Sequence, residues 1–187
     1  MNMNLNSQRH SSAFMALLFL VAAVLACSSG METDKANKLG DEGNAAVKEG
    51  QKYYTDAEAK KDQMLNTNVR QLAEARTLAK EAIAAYGKAE DKCKEAAKKY
   101  EEASRLKISD KFKEYLDVKV KEYNKRAELV EASKGTPQAL LDSESRSSFI
   151  SRANTNNGKV AQLIKDADEL AAQAKKIEKD NPDMFKK

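Results

Sequence analysis

The chain has 187 residues, of which 33% are charged and 6% aromatic, with no Trp, seven Gly and two Pro. Its 33 basic and 29 acidic residues give a net charge of +4 and are interleaved along the chain, which argues against the basic stripe of a nucleic-acid-binding protein. Alanine, lysine and glutamate dominate the composition, and this is typical of long helices. We therefore expect an all-α fold.

The amino-terminal segment is the most specific part of the sequence. Residues 1–26 carry one charged side chain, Arg9, followed by an uninterrupted apolar run over residues 13–25. This is the layout of a secretory signal peptide, and the run is shorter than the about 20 apolar residues that a membrane-spanning helix needs. The run ends in Val24-Leu25-Ala26-Cys27, which is an aliphatic residue, a tolerant position, a small residue and a cysteine.

This ending resembles the lipobox of bacterial lipoproteins. In that family the cysteine thiol receives a diacylglycerol, the peptide is cut before the cysteine, and the new amino terminus is usually acylated. The resemblance implies cleavage after Ala26 and lipidation of Cys27, whose acyl chains would hold it on a membrane at about 0.8 kcal/mol per buried CH₂. Ser28 rather than Asp follows Cys27, a pattern that goes with the outer membrane in Gram-negative lipoproteins. An ordinary signal peptide with a chance cysteine is the alternative.

The resemblance divides the chain into a cleaved signal peptide over 1–26, a lipidated tether over 27–32 and a helical region over 33–187. A first helix capped by Thr33 or Asp34 opens with a seven-residue repeat, and the first slot of the repeat is always small: Ala36, Gly43, Gly50, Ala57. Glycine costs about 1 kcal/mol relative to alanine inside a helix. Two glycines at packing positions therefore predict close approach of a neighbouring backbone, with a frayed helix as the alternative.

After a turn at residues 66–68, the pattern predicts a second helix from about 69 to 107. Its apolar stripe alternates steps of three and four: Leu72, Ala75, Ala79, Ala82, Tyr86, Ala89, Cys93, Ala96, Tyr100, Ala103. Cys93 lies on this stripe, so we interpret it as a buried hydrophobic residue. An intermolecular disulfide is the alternative, because lipidation of Cys27 would leave Cys93 without an internal partner.

A third helix, capped by Ser109 or Asp110, is expected to run to about residue 134 and carries bulkier apolar residues. We interpret Gly135 as the residue that ends this helix, and Thr136-Pro137 as the cap and first residue of a fourth segment. The fourth segment keeps its helical phase across residues 154–158, which favours a continuous or kinked helix over a break, and it ends at Asn181-Pro182. The sequence thus predicts an elongated antiparallel bundle of three to four long helices with coiled-coil-like heptads.

No catalytic constellation is visible in the sequence. The one histidine, His10, belongs to the signal peptide, and Cys93 has no histidine base. Carboxylates such as Asp166, Asp168 and Glu169 are expected on solvated helix faces rather than around a metal. We therefore expect no enzyme activity, no metal site, no cofactor, no nucleic acid and no evident small-molecule substrate.

These features predict a non-catalytic scaffold or partner-binding module, lipid-anchored in the bacterial envelope and placed on the outer membrane facing the periplasm. Its expected partners are the membrane, through acyl chains on Cys27, and a protein or a second copy, through the helical seam. Beyond the lipobox, the chain resembles uncharacterised alanine-rich helical lipoproteins, which carry no assigned activity.

Two further resemblances give alternatives. Gly43, Tyr53 and Tyr86 with their neighbours resemble a tetratricopeptide repeat, which would imply a peptide-binding adaptor, although the 34-residue period of that repeat is missing. Cys27-Ser28-Ser29, the heptads and the final Lys187 resemble the Braun-type major outer-membrane lipoprotein. In that family the terminal lysine joins peptidoglycan, which would imply a tether between outer membrane and cell wall.

Overall fold

The computed structural model describes residues 30–68 and 71–184, and these residues form helices and connecting turns without a strand. The helices are α1 (Gly30–Asn66), α2 (Leu72–Ser104), α3 (Asp110–Ser133), α4 (Gly135–Asp142) and α5 (Arg146–Asp180), followed by a 3₁₀ turn at Pro182–Met184. At 1.5 Å per residue, α1 is about 55 Å long. The expected all-α, elongated bundle with four long helices is confirmed. The lipobox residues Val24–Cys27 and the terminal Lys187 lie outside the described residues.

Two ion pairs show that α1 and α2 are antiparallel. Lys92 on α2 contacts Glu49 on α1 at 2.8 Å, and Lys99 contacts Glu42 at 2.7 Å. The residue number therefore rises along α2 as it falls along α1. Helix α3 packs on the other side of α2, and α5 packs on α3. Helices α1 and α5 hardly approach each other. The bundle is therefore open along the side between its first and last helices.

The predicted stripes form the core. On α2, every member of the stripe from Ala75 to Ala103 is buried, whereas Leu72 in the first turn is 48% exposed. The small-residue slots of α1 face α2, and a side chain at Gly43 or Gly50 would meet α2 atoms at 3.0–3.1 Å. Close backbone approach at these two glycines is confirmed. At Gly40, by contrast, a Cβ would meet nothing within 4 Å.

Several helix boundaries differ from those expected. Within the described residues α1 already begins at Gly30, ahead of the expected caps at Thr33 or Asp34, and α2 begins at Leu72 rather than near 69. Ser109 caps α3 as predicted, since its side chain accepts a hydrogen bond from the Phe112 N–H at 3.3 Å. Helix α5 runs unbroken through residues 154–158, so the continuous interpretation is confirmed.

The expected end of the third helix near residue 134 is confirmed, since α3 ends at Ser133, but Gly135 and Thr136 already belong to α4, so Thr136 does not cap it. Lys134, just before it, keeps right-handed helical angles, and the Gln138 N–H still donates to the Lys134 carbonyl at 2.9 Å. The chain therefore passes from α3 into α4 through Lys134 alone, and this residue keeps helical angles. Gly135 is small for a different reason, which is the close approach of Asn156 on α5.

Candidate functional site

The open side of the bundle contains a cleft of about 290 Å³, which we call the α1–α5 cleft. Its two walls are helical stripes with the same spacing, i, i+3, i+4 and i+7, on α1 and on α5. The α1 wall comprises Val47, Gly50, Gln51 and Tyr54, and the α5 wall comprises Asp168, Ala171, Ala172 and Lys175. The floor is formed by α2 and α3: Ala89, Cys93, Glu122, Tyr123, Arg126, Val130. A molecule in this cleft would touch all four long helices.

A charged network lies at the floor of the cleft, on one face of α3. Glu122 is 1% exposed, and its two carboxylate oxygens accept hydrogen bonds from Lys119 Nζ at 2.7 Å and from Arg126 Nε at 2.8 Å. A second guanidinium nitrogen of Arg126 lies 3.7 Å from an Asp168 oxygen on α5. Burial disfavours the charged form of Arg126, but the charge and hydrogen bond of Glu122 outweigh it and raise the pKa of Arg126.

Aromatic rings surround the Lys119 end of this network. The ammonium of Lys119 lies 4.7 Å from the ring centre of Tyr123 and 5.8 Å from that of Tyr100, within the range of a cation–π contact. The two rings are stacked with their centres 5.5 Å apart. The aromatic rings and Glu122 together compensate the burial of a lysine that is almost fully enclosed.

Tyr54, Tyr86 and Glu58 form a second polar group, next to the cleft. The Tyr86 hydroxyl donates a short hydrogen bond to Glu58, and the Tyr54 ring packs edge-on to the Tyr86 ring with centres 5.7 Å apart. Burial, followed by the nearby Glu58 charge, raises the pKa of both hydroxyl groups above its ordinary value. Tyr86 is fully buried and Tyr54 is half-buried at the wall of the cleft, so both tyrosines stabilise the bundle.

Cys93 is buried at the floor of the cleft, as expected from its place on the α2 stripe. Burial raises the pKa of its thiol to about 11, and the nearby carboxylates add to this effect while Arg126 opposes it. The thiol is therefore neutral at physiological pH and a poor nucleophile. Within the described residues no histidine accompanies it, and no three His, Cys, Asp or Glu side chains come together as a metal site.

The prediction of solvated carboxylates is confirmed for Asp168 and Glu169, which are exposed, but it missed one buried residue. Asp168 also lies at the wall of the cleft and faces Arg126. The burial of Glu122 was missed altogether. A signal was present, because Lys119, Glu122 and Arg126 repeat at steps of three and four in phase with the buried Leu116 and its neighbours on α3.

The predicted lipidation and cleavage residues, Cys27 and Ala26, lie outside the described residues, so these sites stay predictions. In the described residues no helix is both long enough and apolar enough to cross a membrane. Comparison with protein families, curated protein sequences and solved structures found no match for the chain.

Proposed function

We propose that this chain is a non-catalytic helical scaffold of the bacterial envelope, held on a membrane by acyl chains on Cys27 and available to bind a partner. The observation that carries the proposal is the spacing between lipobox and bundle. Helix α1 begins at Gly30, three residues after Cys27, and continues without a break to Asn66. So short a connection would keep one end of the bundle beside the bilayer.

The antiparallel order decides which parts would face the membrane. Glu32, near the start of α1, accepts a hydrogen bond from the Lys107 N–H in the α2–α3 turn, and Met184 after α5 packs in the same apolar cluster as Ala36. These segments form the anchored end. The α1–α2 turn forms the opposite end, about 55 Å away along α1, so the anchored bundle would extend well beyond the lipid headgroups.

The packing also favours one kind of partner contact over another. The apolar stripe of α2 is buried inside the bundle; Ala79, Ala82 and Tyr86, for example, have no exposed surface. Self-association through the α2 stripe would require the bundle to open. A partner would instead use the outer faces or the α1–α5 cleft.

The two cysteines provide a matched test of the anchor. In a bacterium that processes lipoproteins, wild-type protein should incorporate a labelled fatty acid and fractionate with the membranes. Cys27→Ser should lose both properties, whereas Cys93→Ser should keep both because Cys93 is buried in the bundle. If Cys27→Ser still carries the label and stays in the membrane fraction, the anchor is not on Cys27 and the proposal fails.

The two alternatives gain less support from the architecture. A tetratricopeptide repeat takes about 34 residues for a pair of helices, but α1 alone has 37 residues and α2 has 33. A wall tether has to reach away from the membrane, whereas α5 ends at the anchored end of the bundle. The scaffold is therefore the function that the geometry supports best.

A further inference from the structure

We propose that the α1–α5 cleft binds an uncharged molecule with an aromatic body of two fused rings. This goes beyond the proposed scaffold function and does not rest on the lipid anchor. A cavity of about 150 Å³ can hold one benzene molecule, and the cleft has about twice that volume, about 290 Å³. A two-ring molecule therefore fits the cleft, whereas a partner helix, about 10 Å across, would need a wider groove.

The charged residues at the cleft favour an uncharged ligand. Two cations and two carboxylates line the cleft, and their charges cancel: Arg126, Lys175, Glu122, Asp168. Glu122 accepts hydrogen bonds on both carboxylate oxygens, one of them from Arg126 at 2.8 Å. Arg126 also lies 3.7 Å from Asp168, and Lys175 has an interaction within the chain as well. A ligand of either charge would therefore lose hydration in the cleft without finding an unpaired counter-charge.

The other residues that line the cleft are uncharged, and nearly all of them are apolar. Cys93 at the floor belongs to this group, because burial raises the pKa of its thiol to about 11 and so keeps it neutral. The residues that leave the space open are small: Gly50 on α1, Ala89 on α2, Ala171 on α5. The surface around the empty space therefore favours the transfer of an apolar ring out of water.

Two tyrosine rings at the cleft favour an aromatic body. Tyr54 lines the α1 wall, and Tyr123 lines the floor. Each ring is held by another ring of the bundle: Tyr54 packs edge-on to Tyr86, and Tyr123 stacks on Tyr100 with ring centres 5.5 Å apart. Because both tyrosines are held in place before a ligand arrives, an aromatic ligand gains ring contacts that a saturated ligand of equal size lacks.

Three probes with an indole ring and side chains of similar length test the charge of the ligand. Tryptophol is uncharged, tryptamine is a cation and indole-3-acetate is an anion. Equilibrium dialysis of the full-length protein in lipid nanodiscs measures their binding, and empty nanodiscs correct for partitioning into lipid. Tryptophol should saturate one site per chain with a dissociation constant of about 1 mM or below, and both charged probes should bind about tenfold more weakly. A charged probe that binds as tightly as tryptophol, or tryptophol that does not saturate, would overturn the proposal.

A second pair of probes tests the aromatic body. 2-Naphthol and decahydro-2-naphthol are both uncharged alcohols with two fused rings, but only 2-naphthol is aromatic. After the same correction for lipid, 2-naphthol should bind about threefold more tightly because of its contacts with the tyrosine rings. Equal or weaker binding of 2-naphthol would contradict the aromatic preference.

Two exposed alanines of α5 separate the cleft from unspecific binding. Ala172 lines the cleft, so Ala172→Leu should fill part of it and weaken tryptophol binding about fivefold. Ala161 lies on the same helix outside the cleft, and Ala161→Leu should leave binding unchanged. Circular dichroism checks that both variants keep the helical fold. Equal changes in the two variants, or unchanged binding in Ala172→Leu, would contradict the assigned site.

Discussion

The backbone of α1 at Gly43 lies directly against the ring of Tyr100 on α2. A Cβ at Gly43 would be 3.1 Å from both Cε1 and Cζ of that ring. The ring cannot easily move away, because Tyr100 is 2% exposed and its hydroxyl donates to Asn44 Oδ1 at 2.7 Å. One heptad later, a Cβ at Gly50 would be 3.0 Å from Cβ of Lys92. An alanine at either position would therefore require its α2 neighbours to move by a few tenths of an ångström.

Alanine substitutions should separate these two glycines from Gly40, which only costs helix propensity. Gly40→Ala should stabilise the protein by about 0.5–1 kcal/mol, because a Cβ there meets nothing within 4 Å. Gly43→Ala should destabilise it by about 1 kcal/mol, because overpacking in a tight interface outweighs the gain in propensity. Urea unfolding measures both free energies. A Gly43→Ala variant as stable as Gly40→Ala would show that the helices separate freely.

The contact between Gly135 and Asn156 predicts a coupled pair of substitutions. A Cβ at Gly135 would overlap Asn156 Oδ1, and Asn156 Nδ2 also donates to the Thr136 hydroxyl at 3.2 Å. Gly135→Ala should therefore displace Asn156 and cost about 1–2 kcal/mol. In an Asn156→Ala background the same change should be neutral or stabilising, which gives a coupling energy of about 1 kcal/mol or more in a double-mutant cycle.

Gly158→Ala is the control for this cycle. Gly158 lies on α5, the helix that carries Asn156, and a Cβ there meets nothing within 4 Å. It should stabilise the protein by up to about 1 kcal/mol with or without Asn156. If Gly135→Ala costs the same in both backgrounds, the reason for glycine at the start of α4 is not the approach of α5.

The buried Glu122 predicts a large difference between two glutamates of α3. Glu122→Gln removes the carboxylate that pairs with the buried Lys119 and leaves Arg126 only its longer contact to Asp168, so it should cost about 3 kcal/mol. Glu128→Gln removes the partner of Lys125, but the Glu128 side chain is 57% exposed, so the cost should stay below about 0.5 kcal/mol. Thermal or urea unfolding measures the two values. Similar small costs would mean that solvent reaches Glu122.

Glu90 should make stability depend on pH in the acidic range. Burial alone would raise its pKa, but hydrogen bonds from Lys134 and Lys94 outweigh burial and lower the pKa of Glu90 to about 2. Because the folded-state pKa lies below the ordinary value of 4.5, its stabilising contribution is complete above pH 4.5 and is lost as the pH falls toward 2.

The check is the free energy of unfolding of wild type and Glu90→Gln between pH 7 and pH 2. Wild type should be the more stable protein at pH 7, and the difference should shrink steadily below about pH 4.5. Glu128→Gln should show only a small difference throughout. A Glu90→Gln difference that does not change with pH would rule out the ionic contribution.

The sequence predicts most of the fold because apolar residues that repeat at steps of three and four indicate which face of each helix is buried. The α2 stripe from Ala75 to Ala103 and the small slots of α1 are examples, since each is visible within a single helix. The role of Gly135 could not be predicted in this way. It depends on Asn156, which lies on another helix and whose position follows from the tertiary packing.

The candidate site was harder to predict for the same reason. The burial of Glu122 requires two cations from its own helix to lie at the right spacing, and charged residues are ordinarily assigned to the exposed face. The α1–α5 cleft exists because α5 packs on α3 and hardly approaches α1, which no pattern within α1 or α5 indicates.

The most direct test of the membrane scaffold is the intact mass of the protein extracted from its native envelope, with and without enzymes that digest the cell wall. We expect a chain that begins at Cys27, carries a diacylglycerol and usually a further acyl chain, and ends in an unmodified Lys187. A mass without lipid would contradict the anchor, and a wall fragment on Lys187 would replace the scaffold with a tether.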